Sequence, residues 1–431
     1  MVKRAMRLVG LLVLVILLNS CAFVKLKRDI RAMNSLVGIG GAIVNRSPQP
    51  GPLIVILYGE SDGALQIQSF KILDANDPLY FFLVSTGDYR ILAFEDANGN
   101  LAHDDGEFFG HYGKPDRIHL SELKPLDDLN FEVAHTSGFP EKFSTAIASM
   151  PHPEEVFGIA AGTVTTLDDP KFSRENATKG FWRPLTALKE FGAGIYFLEP
   201  YDPGKIPILF VHGAAGTPRN FQALAEHIDR RRFQPWFVYY QSGFRLEQVS
   251  RFLNNLITHL HERHRFDTLY VTGHSMGGLV SRSVILQNVF DGGNDYIKLF
   301  VSISAPFGGM ETARKGVERA PAAIPSWHDM VPGSDFIEHI FSRNLSGQLD
   351  YYLLFSFHGD CSLFMDNNDG SVTLRSQLDL RAQHDAVEKW GFDEGHVTIL
   401  SSPEVLAKYD EILAAAASKT QSRTGFFGIK K

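Results

Sequence analysis

The chain has 431 residues, 44% of them hydrophobic and 21% charged, and a formal net charge of −7 at pH 7. That length exceeds what one small core organises and predicts a large domain of over about 200 residues with a smaller partner. The acidic balance, with no basic block beyond the extreme N-terminus, excludes the electrostatic footprint of a nucleic-acid partner.

At the start of the chain Lys3, Arg4 and Arg7 precede the apolar run Leu8 to Leu18. The run is short for a transmembrane helix and has the layout of a secretory signal, expected to occupy residues 1–20. An ordinary signal peptide or an uncleaved anchor shares this layout. The run closes on Leu18-Asn19-Ser20-Cys21, which resembles the lipobox of bacterial lipoproteins. The resemblance implies acylation of Cys21 as the first mature residue, attachment to a membrane through that lipid, and residence in the bacterial cell envelope. Ala22 stands where an aspartate would mark inner-membrane retention, which points to the outer membrane. With Cys21 acylated, Cys361 is left alone, so no intramolecular disulfide is expected. Cys361 reads as a small buried hydrophobe.

Residues 21–49 read as a tether. Between 50 and 135 the sequence offers short runs with strand chemistry: Leu53 to Tyr58, Leu79 to Val84, Tyr89 to Phe94 and Leu129 to Val133. Turn formers such as Asp74-Ala75-Asn76-Asp77-Pro78 separate them, and a small β-sandwich is predicted. Within it, Asp96, Asn98, Asn100, Asp104 and Glu107 place oxygen ligands at the spacing of a calcium loop. Leu101 occupies the position where such a loop has glycine, and a strand precedes it, so no EF-hand is predicted. Structural Ca²⁺ and an acidic, solvated hairpin both fit. Residues 136–190 read as a helical or irregular connector.

From about 191 strands alternate with amphipathic helices, the signature of a mostly parallel α/β sheet. Ile206 to Val211 reads as a strand, Pro218 to Arg230 as a helix with a first-turn proline, and Phe237 to Tyr240 as a strand. Leu246, Val249, Phe252, Leu253, Leu256, Ile257 and Leu260 then recur at helical spacing. Leu299 to Ile303 and Tyr352 to Phe357 supply later strands. Val405, Leu406, Tyr409, Ile412 and Leu413 form one apolar stripe of a last helix, and residues 419–431 are expected to be a disordered tail.

The strand-like Thr268 to Thr272 leads directly into Gly273-His274-Ser275-Met276-Gly277, and a helix-like segment follows. In that context the five residues form a nucleophile elbow, in which a strained turn lifts the serine hydroxyl clear of the sheet. Serine at neutral pH needs a base, and the base needs an acid to orient it. Asp369, in Asn368-Asp369-Gly370, and His396, in Gly395-His396-Val397, follow in the required order. Asp360 and Asp366 compete with Asp369 on the same loop. His384, read as lying on the final strand, competes with His396. His212 and His274 read as structural neighbours of the site. His259, His261 and His264 mimic a metal cluster, but residues two apart on a helix point to different faces.

The region from about 194 to 415 resembles the α/β-hydrolase superfamily, especially its lipase and esterase branch. His212-Gly213-Ala214-Ala215-Gly216 matches the family's HGxxG turn, Gly273 to Gly277 matches GxSxG, and Asp369-Gly370 and His396 match the acid and base turns. Ser304-Ala305-Pro306-Phe307-Gly308-Gly309 is similar to the turn after the sixth strand of such lipases. The resemblance implies an α/β-hydrolase domain over 191–418 with catalytic Ser275, His396 and Asp369, an oxyanion hole from the Ala214 and Met276 amides, and an acyl ester or lipid substrate. No catalytic cofactor is implied. An insertion at about 310–350, with Pro321, Pro325, Pro332 and the exposed-looking Trp327, Phe336 and Phe341, lies where lipases carry a lid; a plain covering insert reads equally well. An acyltransferase or amidase would use the same acyl-enzyme. A non-catalytic envelope scaffold is the reading from a different class.

Overall fold

The structure, a computed structural model, describes residues 22–61, 64–73, 79–113, 117–122, 124–139, 158–359 and 366–427. The expected signal segment 1–20, Cys21, Asp360 and Cys361 lie outside the described residues. The described residues divide into two compact units, a smaller one drawn from 28–161 with 189–192, and a larger one drawn from 22–27, 162–188 and 193–427. A helix, α1 (22–33), opens the described chain.

The smaller unit is built from β1 (Val37–Asn45), β2 (Leu53–Ser61), β3 (Ala64–Leu73), β4 (Leu79–Val84), β5 (Gly87–Glu95), β6 (Phe109–His111), β7 (Ile118–Leu120) and β8 (Phe131–Val133). One sheet runs β4-β1-β8 and the other β3-β2-β5-β6, with β7 beside β5. Leu53, Val55 and Leu57 join Val37, Ile39, Phe82 and Ile91 in a core between the sheets. Ile54, Ile56 and Tyr58, on the opposite face of β2, pack with Leu92, Phe94 and Phe109. Burial on both faces explains why β2 reads as a continuous apolar run.

The expected tether 21–49 is instead structured, with α1 followed by β1. The glycines that make Val37 to Ala42 look like a linker serve close packing, since a Cβ on Gly41 would meet the Leu129 carbonyl group at 2.5 Å. The connector expected at 136–190 holds helices from 174 to 182 and from 184, as its helical reading allows, and also a strand at Ile159–Val164 that it does not include.

The larger unit carries β9 (Ile159–Val164), β10 (Ala193–Phe197), β11 (Ile206–Val211), β12 (Phe233–Tyr239), β13 (Leu269–His274), β14 (Ile297–Ile303), β15 (Asp350–Ser356) and β16 (Glu388–Phe392) in the order β16-β15-β14-β13-β11-β12-β10-β9. From β12 to β16 neighbouring strands are parallel, and β10 is antiparallel to β12. The helices are α2 (Arg174–Trp182), α3 (Pro184–Phe191), α4 (Gln222–His227), α5 (Leu246–His264), α6 (Met276–Ile285), α7 (Glu311–Arg319), α8 (Pro325–Met330), α9 (Asp335–Ile340), α10 (Leu374–Gln377), α11 (Leu380–Asp385) and α12 (Pro403–Phe427). β13 is fully buried at the middle of the sheet, between β11 and β14, so the chain leaves it at the sheet's centre.

Three details depart from the sequence reading. The helix expected at 218–230 is a 3₁₀ turn, Pro218–Phe221, followed by the short α4. The expected disordered tail is helical as far as Phe427, in keeping with the good helix formers of Ala414 to Lys419. In the insertion Phe336 is buried and Trp327 and Phe341 are half-buried. α7, α8 and α9 cover the unit as packed helices. Asp329, 1% exposed, accepts hydrogen bonds from Arg245 and from the first amide of α5, Leu246 N, at 2.6 Å.

Candidate active site

The turn between β13 and α6 holds Ser275 at φ +55°, ψ −130°, a conformation that costs a non-glycine residue about 1–3 kcal/mol. It is held from both sides, because Ser275 N donates to Ile303 O at 2.8 Å and Gly278 N donates to Ser275 O at 2.9 Å. α6 is pinned in turn. Its fully buried Arg282 donates Nε to Ile340 O at 2.6 Å and pairs with buried Asp385 on α11.

His396 arrives on the loop after β16 and Asp369 on the loop after β15, so the two parallel strands beyond β14 deliver both. His396 Nε2 lies 2.9 Å from Ser275 Oγ and His396 Nδ1 lies 2.7 Å from Asp369 Oδ2. A carboxylate only accepts, so Nδ1 carries the proton and Nε2 turns its lone pair toward the serine. The Asp369 side chain is fully buried and that of His396 is 11% exposed.

Asp369 is held from several directions. Oδ1 accepts Ser371 N at 3.0 Å and Val372 N at 2.7 Å. Oδ2 accepts, besides His396, the Ser356 hydroxyl at 2.7 Å and the Gln377 amide at 3.1 Å. Burial pushes the Asp369 carboxyl upward, but the hydrogen bond and charge of His396, with Val372 N and Ser356, outweigh it and hold it below the usual carboxylate range. Gln377 also donates to Ser356 O and accepts Ser356 N, which clips α10 to the end of β15. Next to it, Ser376 donates to Gly309 O and accepts Gly308 N, tying the 306–309 turn to the same helix.

His274 is not a second base. Its Nε2 donates to His396 O at 2.7 Å, and burial, with the neighbouring His396, lowers its pKa to about 3. His212 is fully buried with its pKa lowered to about 4 by desolvation. It stacks on Tyr240 at 4.3 Å and donates Nδ1 to Gly213 O. Both neutral histidines brace the backbone around the elbow, as their sequence reading anticipated. The 212–216 turn runs against the serine, because a Cβ on Gly213 would sit 2.8 Å from Ser275 Cβ. Ala215, at φ +49°, donates its amide to Ser242 Oγ. Met276 supplies the first amide of α6, which has no carbonyl one turn back to accept it.

Asp366 is exposed, and His384 is exposed on α11 rather than on the final strand. His259, His261 and His264, expected on a solvated helix surface, are half-buried on α5 instead. His261 stacks on Tyr296 and His264 on Tyr201, and burial lowers His259 to about 4. Sequence reasoning missed Ser356, Gln377 and Ser242, whose residue types carry no signal without the fold.

In the smaller unit the oxygens of the calcium-like loop are engaged within the loop itself. Asp96 accepts Asn100 N and Leu101 N, and Glu107 accepts Ala97 N and Asp104 N. Asp104 Oδ2 accepts the side-chain amides of Asn98 and Asn100 at 2.6 and 2.7 Å. Among the described residues no group of three or more His, Cys, Asp or Glu side chains is gathered to hold a metal ion.

The sheet order, the elbow on its central strand and the loops after β15 and β16 are those of an α/β-hydrolase fold, preceded here by a β domain. Residues 202–314 match the family model described as PGAP1-like alpha/beta domain. No curated protein matches the sequence. Among solved structures, the mature lipase BlEst2 of Bacillus licheniformis is 16% identical, covers 51% of this chain and 97% of its own, and gives a TM-score of 0.41. The gene lin2722 product of Listeria innocua is 18% identical, covering 48% and 92%, with a TM-score of 0.37. A lipase-esterase related protein from Clostridium acetobutylicum is 13% identical, covering 51% and 98%, with a TM-score of 0.35.

Proposed function

We propose that the chain is a serine hydrolase of carboxylic esters. The observation that carries this reading is the hydrogen-bonded series from Ser275 Oγ through His396 to buried Asp369, with the serine held at a positive φ. Ser275 attacks the ester carbonyl carbon as its proton passes to His396 Nε2, and Asp369 stabilises the imidazolium that forms. The developing oxyanion rests on the amides of Met276 and Ala214, an arrangement of donors whose removal elsewhere costs about 3–4 kcal/mol each. His396 then protonates the departing alcohol. Water, giving its proton to His396, releases the acid and restores Ser275. The chemistry needs no metal ion, and none is assigned to it. The lipobox-like end of the apolar run supports acylation at Cys21 and attachment to the outer membrane of a bacterial envelope.

A fluorophosphonate probe tests the catalytic part. Wild-type protein is labelled and Ser275→Ala is not; an unlabelled, folded wild-type chain overturns the reading in favour of a scaffold. Hydrolysis of p-nitrophenyl esters with and without a lipid acceptor tests the reaction type, and transfer exceeding hydrolysis overturns the hydrolase assignment. Radiolabelled palmitate should enter the wild-type chain in cells and be absent from Cys21→Ser.

A further inference from the structure

The residues just after Cys21 pack against the catalytic unit, and they do so on an aromatic cluster. Phe23, in the first turn of α1, meets the Trp182 ring edge-on at 5.8 Å. Trp182 in turn meets Trp327 at 6.0 Å, and Phe181 meets both, at 5.9 and 6.3 Å. All four rings are only partly buried, and neighbouring Val24 is 67% exposed. α1 is not a loosely attached segment, because Leu26 is fully buried. Its exposed residues include Lys25, Lys27, Arg28 and Arg31, while its one acidic residue, Asp29, is buried. The start of an acidic chain is therefore locally basic.

The cluster adjoins the rim of the candidate site. Trp327 follows Ser326, whose amide donates to Gly243 O at 3.2 Å, and Gly243 N donates to Gly180 O, next to Phe181. Ser242, in the same loop, accepts the Ala215 amide of the oxyanion turn. One short loop thus holds the aromatic cluster on one side and braces the catalytic backbone on the other.

Chain length makes the placement consequential. One residue separates Cys21 from Phe23, two Cα–Cα steps that span at most about 7 Å; four separate Leu18 from Phe23, five steps that span at most about 17 Å. Whatever holds Cys21 or the Leu8 to Leu18 run at a membrane holds Phe23 beside it. Tryptophan rings favour the interfacial layer of a bilayer, phenylalanine serves the apolar face of helices that lie there, and lysine and arginine favour anionic headgroups.

We propose that Phe23, Val24, Phe181, Trp182 and Trp327 form a lipid-contacting shoulder that seats the catalytic unit on the bilayer surface holding its N-terminus. The proposal rests on the membrane-attached reading of residues 1–21. It deepens the functional assignment, because it makes esters resident in the membrane the preferred substrates over freely dissolved ones.

The test uses the full chain in phosphatidylcholine–phosphatidylglycerol vesicles with and without brominated acyl chains. Co-sedimentation reads attachment, and tryptophan quenching reads the shoulder. Both proteins carry Trp390→Phe, because Trp390 on β16 is 40% exposed; the expected result is co-sedimentation with quenching by brominated lipid, most of it lost when Trp182→Phe/Trp327→Phe is added, since the remaining Trp236 is 1% exposed. Trp182→Ser/Trp327→Ser should hydrolyse a vesicle-embedded ester about 5- to 10-fold more slowly while keeping its rate on p-nitrophenyl butyrate. Co-sedimentation with quenching that the double Phe variant leaves unchanged, or with no quenching, overturns the shoulder and leaves attachment standing. Absence of co-sedimentation overturns both. Quenching needs no catalysis, so a chain that binds lipid in this way yet hydrolyses nothing would sink the esterase reading alone.

Discussion

The loop at 366–372 and the loop at 96–107 start from similar sequence, Asp and Asn residues around glycine, and reach different ends. In the smaller unit, Asp96 and Glu107 accept amides of their own loop and Asp104 accepts two neighbouring asparagines. Asp369 gives one oxygen to its own loop, Ser371 N and Val372 N, and the other to side chains from β15, α10 and the loop after β16. The difference lies in where the second oxygen points. A carboxylate spent locally stabilises a turn, whereas one left half-free can orient a group brought from elsewhere in the fold.

The largest effect that would break this contrast is on catalysis. Asp369→Asn keeps the local turn bonds to Oδ1 but removes the anion that holds His396 Nδ1–H, and ester hydrolysis should fall on the order of 10⁴-fold. Thermal unfolding should move far less. A loss under about tenfold in kcat/KM would mean that Asp369 is a turn residue like Asp96.

Acid should strike the larger unit through its neutral histidines. His212 and His274 have folded pKa values lowered to about 4 and about 3, against about 6.5 for an unfolded chain. Below pH 6.5 the unfolded state takes protons that the folded state refuses. Their stability contribution is therefore complete above pH 6.5 and is lost as pH falls toward the folded values, about 2 kcal/mol for each at pH 5. Urea unfolding at pH 7 and pH 5 measures the loss, and His212→Phe should shrink it; equal midpoints at the two pH values would contradict the burial of neutral rings.

Much of the site was legible because each motif sits on a short, locally determined turn. Gly273 to Gly277 follows an apolar strand, the HGxxG turn follows an earlier one, and the Asp-Gly and Gly-His turns follow later ones, so order alone assigns them to one sheet end. The acid's surroundings were not legible. Ser356 ends a strand and Gln377 ends a four-residue helix, and only the pairing of β14 with β15 and the fold-back of α10 bring them to Asp369. The N-terminal boundary was misread for a related reason. Gly38, Gly40 and Gly41 look like a linker locally, and their role in β1 depends on backbone from β4 and from residue 129. His384 was misplaced because helix α11 is only one and a half turns long and leaves little periodicity.

The residues that sequence reasoning missed should have a measurable but smaller share in catalysis. Gln377→Met keeps the volume and removes the amide that donates to Asp369 Oδ2 and Ser356 O. The carboxylate then keeps His396 but loses part of its fixed orientation, and kcat should fall about tenfold with KM unchanged, which corresponds to about 1.4 kcal/mol of transition-state stabilisation. A change confined to melting temperature would make Gln377 a clip for β15 and nothing more.

The smallest effect belongs to the other loop. Asp96→Asn leaves one oxygen to accept Asn100 N but replaces the oxygen that accepts Leu101 N, a residue held at φ +60°, with an amide donor. Asp96 is 3% exposed, so the Leu101 amide loses a charged acceptor at a site where water is scarce, at a cost of about 1–3 kcal/mol. That loss should appear as a lower unfolding midpoint and faster proteolysis within the smaller unit, with ester hydrolysis at 25 °C unchanged. Were hydrolysis to fall in step with stability, the two loops would be coupled, and a carboxylate spent on its own turn would reach the catalytic chemistry after all.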